Sequence, residues 1–416
     1  MPSQTLLRVI GGPQNYAWGK LGSSSTVAQF AHANDPTVSI DESKPYAELW
    51  MGTHPKVPTI IANSGEKLAD LISSDPAKFL GTKVAEKFHL TNELPFLFKV
   101  LSIEKVLSIQ AHPDKELAKK LRAADPTNYP DDNHKPEMAI AITPFEAFCG
   151  FKPLLVIKDH LEQIPEFREL VGTKIAQSFI NSPSKESLKL LFAEVMNSSD
   201  EDIEKYSQLL VERSIQEPQL FSDKRLPPLI QKLNDQFPND IGLFCGCLML
   251  NHCILSTGEA MFLQACEPHA YISGDIMECM AASDNVIRAG FTPKFKDVKT
   301  LVNYLTYSTN NVEEQKQPPA PFPRGTGNAK FSLYDPPIDE FSVLQVEFSE
   351  SNGKALMKGI DGPSIAIVTK GKGSISDGEE TLDAFAGAVY YIAPNTETTL
   401  NSVSDDFTLY RAYCEA

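Results

Sequence analysis

Residues 98–114 read Phe98-Lys99-Val100-Leu101-Ser102-Ile103-Glu104-Lys105-Val106-Leu107-Ser108-Ile109-Gln110-Ala111-His112-Pro113-Asp114. Successive side chains of a strand point to opposite faces. On strand spacing, Ser108, Gln110 and His112 share one face, and Leu107, Ile109 and Ala111 take the other. Such a polar triplet inside an apolar run is either the solvent-facing edge of a sheet or, if buried, a set of groups in need of a partner. Local sequence leaves both readings open. Around this stretch lie other short apolar runs punctuated by Gly and Pro, at 6–10, 46–51, 58–62, 96–101 and 138–143. Their rhythm predicts an antiparallel sandwich or barrel up to about Pro153, with helices inserted at 66–73 and 115–124.

From about Leu154 to Asp240 the period changes. Ser182 and Pro183 suit a helix start, followed by Leu188, Leu191, Phe192 and Val195 at helical spacing. Ile203, Tyr206, Leu209 and Leu210 repeat the pattern. Strand texture returns from Gly258, then breaks at the proline-rich 317–327, which reads as a linker. Further strands are expected at 341–348, 364–369, 387–393 and 407–413. The expected division is therefore a first β barrel in two parts (1–153 and 241–316), a helical insertion (154–240), a linker (317–327) and a final β domain (328–416).

Composition narrows the function. In 416 residues, Asp and Glu number 54 against 38 Lys and Arg, a formal charge of −16 that repels nucleic acid and anionic lipid. Seven cysteines without framework spacing suit free thiols in a reducing compartment. No signal-peptide pattern opens the chain, and the apolar run 241–250 is too short to span a bilayer. The reading is a cytoplasmic protein that binds neither nucleic acid nor membrane.

Three more segments bear on chemistry. Glu137 follows Pro136 at the mouth of an apolar strand, either as a solvated end or as a hard-donor ligand. Pro268-His269-Ala270 brings a second imidazole after another strand. With His112 and Gln110, these offer two imidazoles, a carboxylate and an amide oxygen, donors that bind zinc or another first-row divalent ion. Between Asp284 and Lys299, Arg288, Lys294, Lys296 and Lys299 face only two acids, a basic pocket for a small anion or a solvated loop. Cys245, Cys247 and Cys253 lie on an apolar run that reads as helical, which favours inert buried thiols over a thiolate metal site.

Together the motifs Y-A-W-G-K (16–20), Y-A-E-L-W-M-G-T-H-P (46–55), S-I-Q-A-H-P-D (108–114), N-H-K-P-E-M (133–138), P-H-A-Y-I-S-G-D (268–275) and A-S-D-N-V-I-R-A-G-F-T-P-K-F-K-D-V (282–298) resemble the type I mannose-6-phosphate isomerases. The resemblance runs along most of the chain, apart from the helical region. It implies a mainly β fold of two cupin-type (jelly-roll) barrels plus an α-helical domain. It also implies one zinc ion per chain on Gln110, His112, Glu137 and His269, with Arg288 catalytic. The implied reaction interconverts mannose 6-phosphate and fructose 6-phosphate through a cis-enediolate, supplying mannose 6-phosphate for GDP-mannose synthesis.

Arg288 keeps its proton at working pH, which suits electrostatic stabilisation rather than base catalysis. His134 and Lys135 both adjoin Glu137 as candidates for the proton-transfer base, and Lys135 is the expected one, because a neighbouring cation eases deprotonation of an ammonium. Asp284 and Tyr271 are candidates for ring opening, and Lys99, Ser108 and Lys294 for the substrate phosphate. No histidine follows His269, so the second barrel is expected to be a metal-free scaffold in a monomeric enzyme. An Fe(II) oxygenase is disfavoured by the extra amide donor, and a sugar-phosphate sensor by the completeness of the metal set.

Overall fold

Strand Phe96–Ile103 is buried at every position, which is why its sequence runs nearly continuously apolar. The computed structural model describes residues 5–416 and shows what each face of this strand meets. Leu101 and Ile103 point into one core with Ala139, Ala147, Leu263 and Tyr271, the interior of the first barrel. Phe96, Phe98 and Val100 point the other way, into a core shared with Val343, Ile365, Ile367 and Tyr410 from the C-terminal region. The two β units therefore stand back to back, with one apolar layer between them.

The spine of the first unit is the 13-residue strand His269–Ala281. It pairs antiparallel with Phe96–Ile103, Glu137–Ala141, Phe145–Phe151 and Ile109–Ala111 within a 10-stranded sheet. The run 98–114 is thus two strands, not one. After Ile103 the chain turns away, with the amides of Glu104 and Lys105 donating to Trp18 O and that of Leu107 to Tyr271 O. Strand spacing resumes only at Ile109–Ala111, so Ser108 precedes the ladder and His112 follows it.

Six α-helices, from Leu154–Gln163 to Leu226–Gln236, form the insertion. Helix Lys185–Met196 starts two residues later than the sequence suggests. Ser184, not Ser182, is its N-cap, because Ser187 at the third helical position closes a reciprocal capping box with it (3.1 and 2.8 Å). Leu188, Leu191, Phe192 and Val195 are buried, as their spacing predicts. Their core includes Phe148, Phe151, Ala270 and Ile272, so the insertion packs on the outer face of the first barrel.

The run 241–250 is only briefly helical (Gly242–Cys245), and Cys253 lies on strand Leu250–Leu255. All seven cysteines are nonetheless buried and free. Burial pushes the Cys247 thiol up to about 12, so it is protonated and inert at neutral pH.

The C-terminal unit sets an 8-stranded sheet against a 5-stranded one. The pairing crosses the division drawn from sequence. Leu6–Ile10 and Ile60–Ile61 join the C-terminal sheet, with Leu6 opposite Ile392 and Val9 opposite both Val389 and Ile61. Part of the proline-rich 317–327 is also paired, as Ala320–Pro321 and Gly325–Gly327. Ala320–Pro321 is an edge strand, where a missing N–H costs little. Among the described residues, no helix is long and apolar enough to cross a membrane.

Candidate metal centre

Four strands bring the polar residues of the first barrel to one end. Gln110, at the centre of Ile109–Ala111, lies opposite His269 on one side and Arg288 on the other. Directly opposed residues share a face, so Gln110, His269 and Arg288 form one row. His112 follows the same short strand, and Glu137 opens the strand Glu137–Ala141.

His112, Glu137 and His269 offer donor atoms that lie within 4.8 Å of one another. Glu137 Oε2 is 3.3 Å from His112 Nε2 and 3.4 Å from His269 Nε2. All three atoms are buried and without a hydrogen-bond partner among the described residues. The outer nitrogens are fixed. His112 Nδ1 donates to Asn285 O (2.8 Å) and His269 Nδ1 to Glu267 O (3.1 Å), which turns the Nε2 lone pairs inward. Burial lowers the His112 pKa to about 4, so its ring is neutral at pH 7, as a metal ligand must be. Burial opposes the charge on Glu137, but Lys135 and the imidazoles outweigh it and hold the carboxyl well below its usual range. Two imidazoles and a carboxylate converging on one dry point fit a divalent cation, with Gln110 alongside as an oxygen donor.

Around this point the charges are already arranged. Lys135 Nζ sits 3.1 Å from Glu137 Oε1, the oxygen turned away from the imidazoles. Arg288 is half-buried and makes no ion pair or side-chain hydrogen bond among the described residues. Its guanidinium is free for a ligand. Two loops are laced together beside it. Asp131 accepts from Ser283 Oγ (2.7 Å), Asn285 Nδ2 (3.0 Å) and the Asp284 amide (2.8 Å). That network ties the segment carrying His134 and Lys135 to the one leading into Arg288. His134 Nε2 in turn lies 2.6 Å from Glu340 Oε1, so the C-terminal unit reaches the rim of the site.

Other candidates stand differently from expectation. Lys99 is not a free cation. It is buried between Glu278 (3.1 Å) and Glu48 (3.4 Å) and lies over the Trp50 ring. Burial works against its charge, yet Glu48, Glu278 and Glu137 together raise its pKa. Lys99→Met strands two buried carboxylates and is expected to destabilise the protein by about 3–5 kcal/mol in denaturant unfolding. A raised KM at unchanged stability would instead make Lys99 a phosphate ligand.

Tyr271 donates to Glu278 Oε1 (2.9 Å), and burial raises its phenol well above the usual range, so it is a poor proton donor to substrate. Asp284 is held low by the neighbouring His54 ring (3.6 Å) and by the Lys56 ammonium (2.7 Å), leaving it a carboxylate. Ser108 is half-buried, and Lys294 is exposed without an ion pair among the described residues. Sequence reading passed over Glu278, although a carboxylate inside the apolar run Ile276-Met277-Glu278-Cys279-Met280 is the kind of signal that marks a site.

The comparisons with known proteins agree with this geometry. Family models for type I phosphomannose isomerase match the catalytic domain over 6–154, the helical insertion domain over 166–250 and the C-terminal region over 332–379. The mannose-6-phosphate isomerase of Ogataea parapolymorpha is 62% identical, with 99% of both chains covered. That of Saccharomyces cerevisiae is 57% identical over the same shares. Among solved structures, a zinc-bound mannose 6-phosphate isomerase superposes with a TM-score of 0.83 at 30% identity, over 99% of this chain and 100% of the other. The apo enzyme of Salmonella typhimurium gives 0.82 at 30% identity, with the same coverage. Fold, helical insertion and the convergent ligand atoms all agree with kinship at this level of identity, and the chain belongs to the type I phosphomannose isomerase family.

Proposed function

We propose that this protein interconverts mannose 6-phosphate and fructose 6-phosphate, with one zinc ion held by Gln110, His112, Glu137 and His269. The observation that carries the reading is the set of three buried donor atoms that meet with no protein hydrogen between them, beside an unpaired arginine. A bound zinc supplies Lewis-acid charge for carbonyl and enediolate oxygens. The rest falls to the chain itself. Lys135 moves the proton between the two carbons, and its contact with Glu137 fixes where its amine stands. Arg288 faces the negative charge that develops on the cis-enediolate. Asp284 is the group left for ring opening, since Tyr271 is committed to Glu278. Ser108 and Lys294 receive the phosphate, since the charge of Lys99 is committed to Glu48 and Glu278.

The product mannose 6-phosphate feeds GDP-mannose synthesis in the cytoplasm, and the enzyme works as a monomer. The back-to-back packing of the two β units supports a scaffold role for the C-terminal, cupin-like one. The enediolate route is tested by running the reversible reaction in D2O over many turnovers. Deuterium is expected at C2 of mannose 6-phosphate and C1 of fructose 6-phosphate by NMR. Full retention of the original hydrogen would replace proton transfer with a hydride shift.

A further inference from the structure

The interior of the C-terminal barrel contains an arginine among apolar side chains. Arg411 lies in strand Thr408–Tyr413, opposite Leu344 on one neighbour and Ala366 on the other. Tyr410 and Ala412 face the core between the two β units, whereas Leu409 and Tyr413 face the core inside the barrel. Arg411 has the parity of the second pair and points inside. It is 0% exposed, and its Nε, Nη1 and Nη2 have no hydrogen-bond partner among the described residues. Arg324 and Glu415, near the same end, satisfy each other through two 2.6 Å bonds.

Two further buried donors are orphaned in the same interior, Ser364 Oγ and Thr398 Oγ1. Ser364 shares the parity of Ala366 and Val368, and Thr398 that of Leu400, all of which face the barrel core. Ser364 lies opposite Tyr413 and is therefore the diagonal neighbour of Arg411. Thr398 pairs with Met357, the last residue of Lys354–Met357, from which the chain runs directly to Ser364. The three groups thus sit at one end of the barrel. A guanidinium enclosed by hydrocarbon, with no carboxylate bonded to it, is costly unless a counter-charge accompanies it.

We propose that the C-terminal barrel binds a monovalent inorganic anion of the halide class, held by the Arg411 guanidinium and the Ser364 and Thr398 hydroxyls. The site carries one uncompensated positive charge, so a doubly charged oxyanion such as sulfate leaves a net negative charge buried in hydrocarbon. Full enclosure shuts out a sugar phosphate. The site is separate from the metal centre and does not depend on the reaction proposed above.

The test compares thermal unfolding of the full chain in gluconate, chloride, bromide and sulfate at equal ionic strength. Chloride and bromide are expected to raise Tm saturably by about 2–4 °C, sulfate is expected not to, and Arg411→Met is expected to lose the halide response. Protein purified and crystallised in bromide is expected to show an anomalous peak beside the Arg411 guanidinium. That measurement decides the matter even if the variant does not fold. No bromide peak together with equal melting in gluconate and halide overturns the proposal, as does a halide response undiminished in Arg411→Met.

Discussion

Arg288→Ala is expected to lower kcat by about 10²–10³-fold while the protein keeps its metal. The expectation rests on where the guanidinium stands. Arg288 is opposite Gln110 in the same row as His269, yet it bonds to no protein acceptor among the described residues. Its removal therefore breaks no ion pair and leaves the donor atoms of His112, Glu137 and His269 where they are. What is lost is a fixed positive charge facing the enediolate, an interaction that strengthens as charge develops and so appears in kcat more than in KM. Gln110→Ala is the matched control, expected to weaken metal binding and to recover activity when zinc is raised. Metal content by mass spectrometry, measured alongside kcat, separates the two roles. Equal metal loss in both variants would remove the distinction between ligand and electrostatic stabiliser.

Removing the metal should have a still larger effect on turnover. Chelation is expected to take isomerase activity to background and zinc to restore it, as followed by a coupled assay for fructose 6-phosphate. Stability should move as well. Without the ion, His112 Nε2, Glu137 Oε2 and His269 Nε2 are buried polar atoms with no partner, each costing about 1–3 kcal/mol. Melting should therefore fall by several degrees on chelation and recover with zinc. His269→Ala should lower zinc affinity by roughly 10²-fold or more, beyond the usual cost of losing a group that merely orients a ligand. Full activity after exhaustive chelation, with the metal shown to be absent, would leave the buried triad a structural feature and withdraw the chemistry assigned to it.

Much of the site was legible because its residues interrupt apolar runs. His112, Glu137 and His269 each sit beside a proline at the end of a strand-like segment, where a polar side chain either meets water or meets a ligand. Which strands lie side by side was not legible. Gln110, His269 and Arg288 form a row only because strands far apart in the chain pair in one register, and period-2 alternation names a face but never a partner. The same limit hid the position of Leu6–Ile10, read correctly as a strand but paired with the far end of the chain. Backbone acceptors such as Asn285 O, which fixes the His112 ring, leave no trace in side-chain identity. Glu278 was legible in principle, since it stands among apolar neighbours, but its meaning depends on Lys99 and Tyr271 arriving from elsewhere.

The strand Leu6–Ile10 also sets a schedule for the nascent chain. It leaves the ribosome long before its partner Val389–Ile392 has been made. At about 5–20 residues per second, roughly 20–80 s of synthesis separate the two. Throughout that interval Leu6, Leu7 and Val9 have nothing to bury against on that side, although all three end up buried. An unpaired apolar strand is a template for pairing with a wrong chain. The C-terminal sheet closes only once Val389–Ile392 has been made, so a truncation near residue 389 leaves Leu6–Ile10 unpaired on that side.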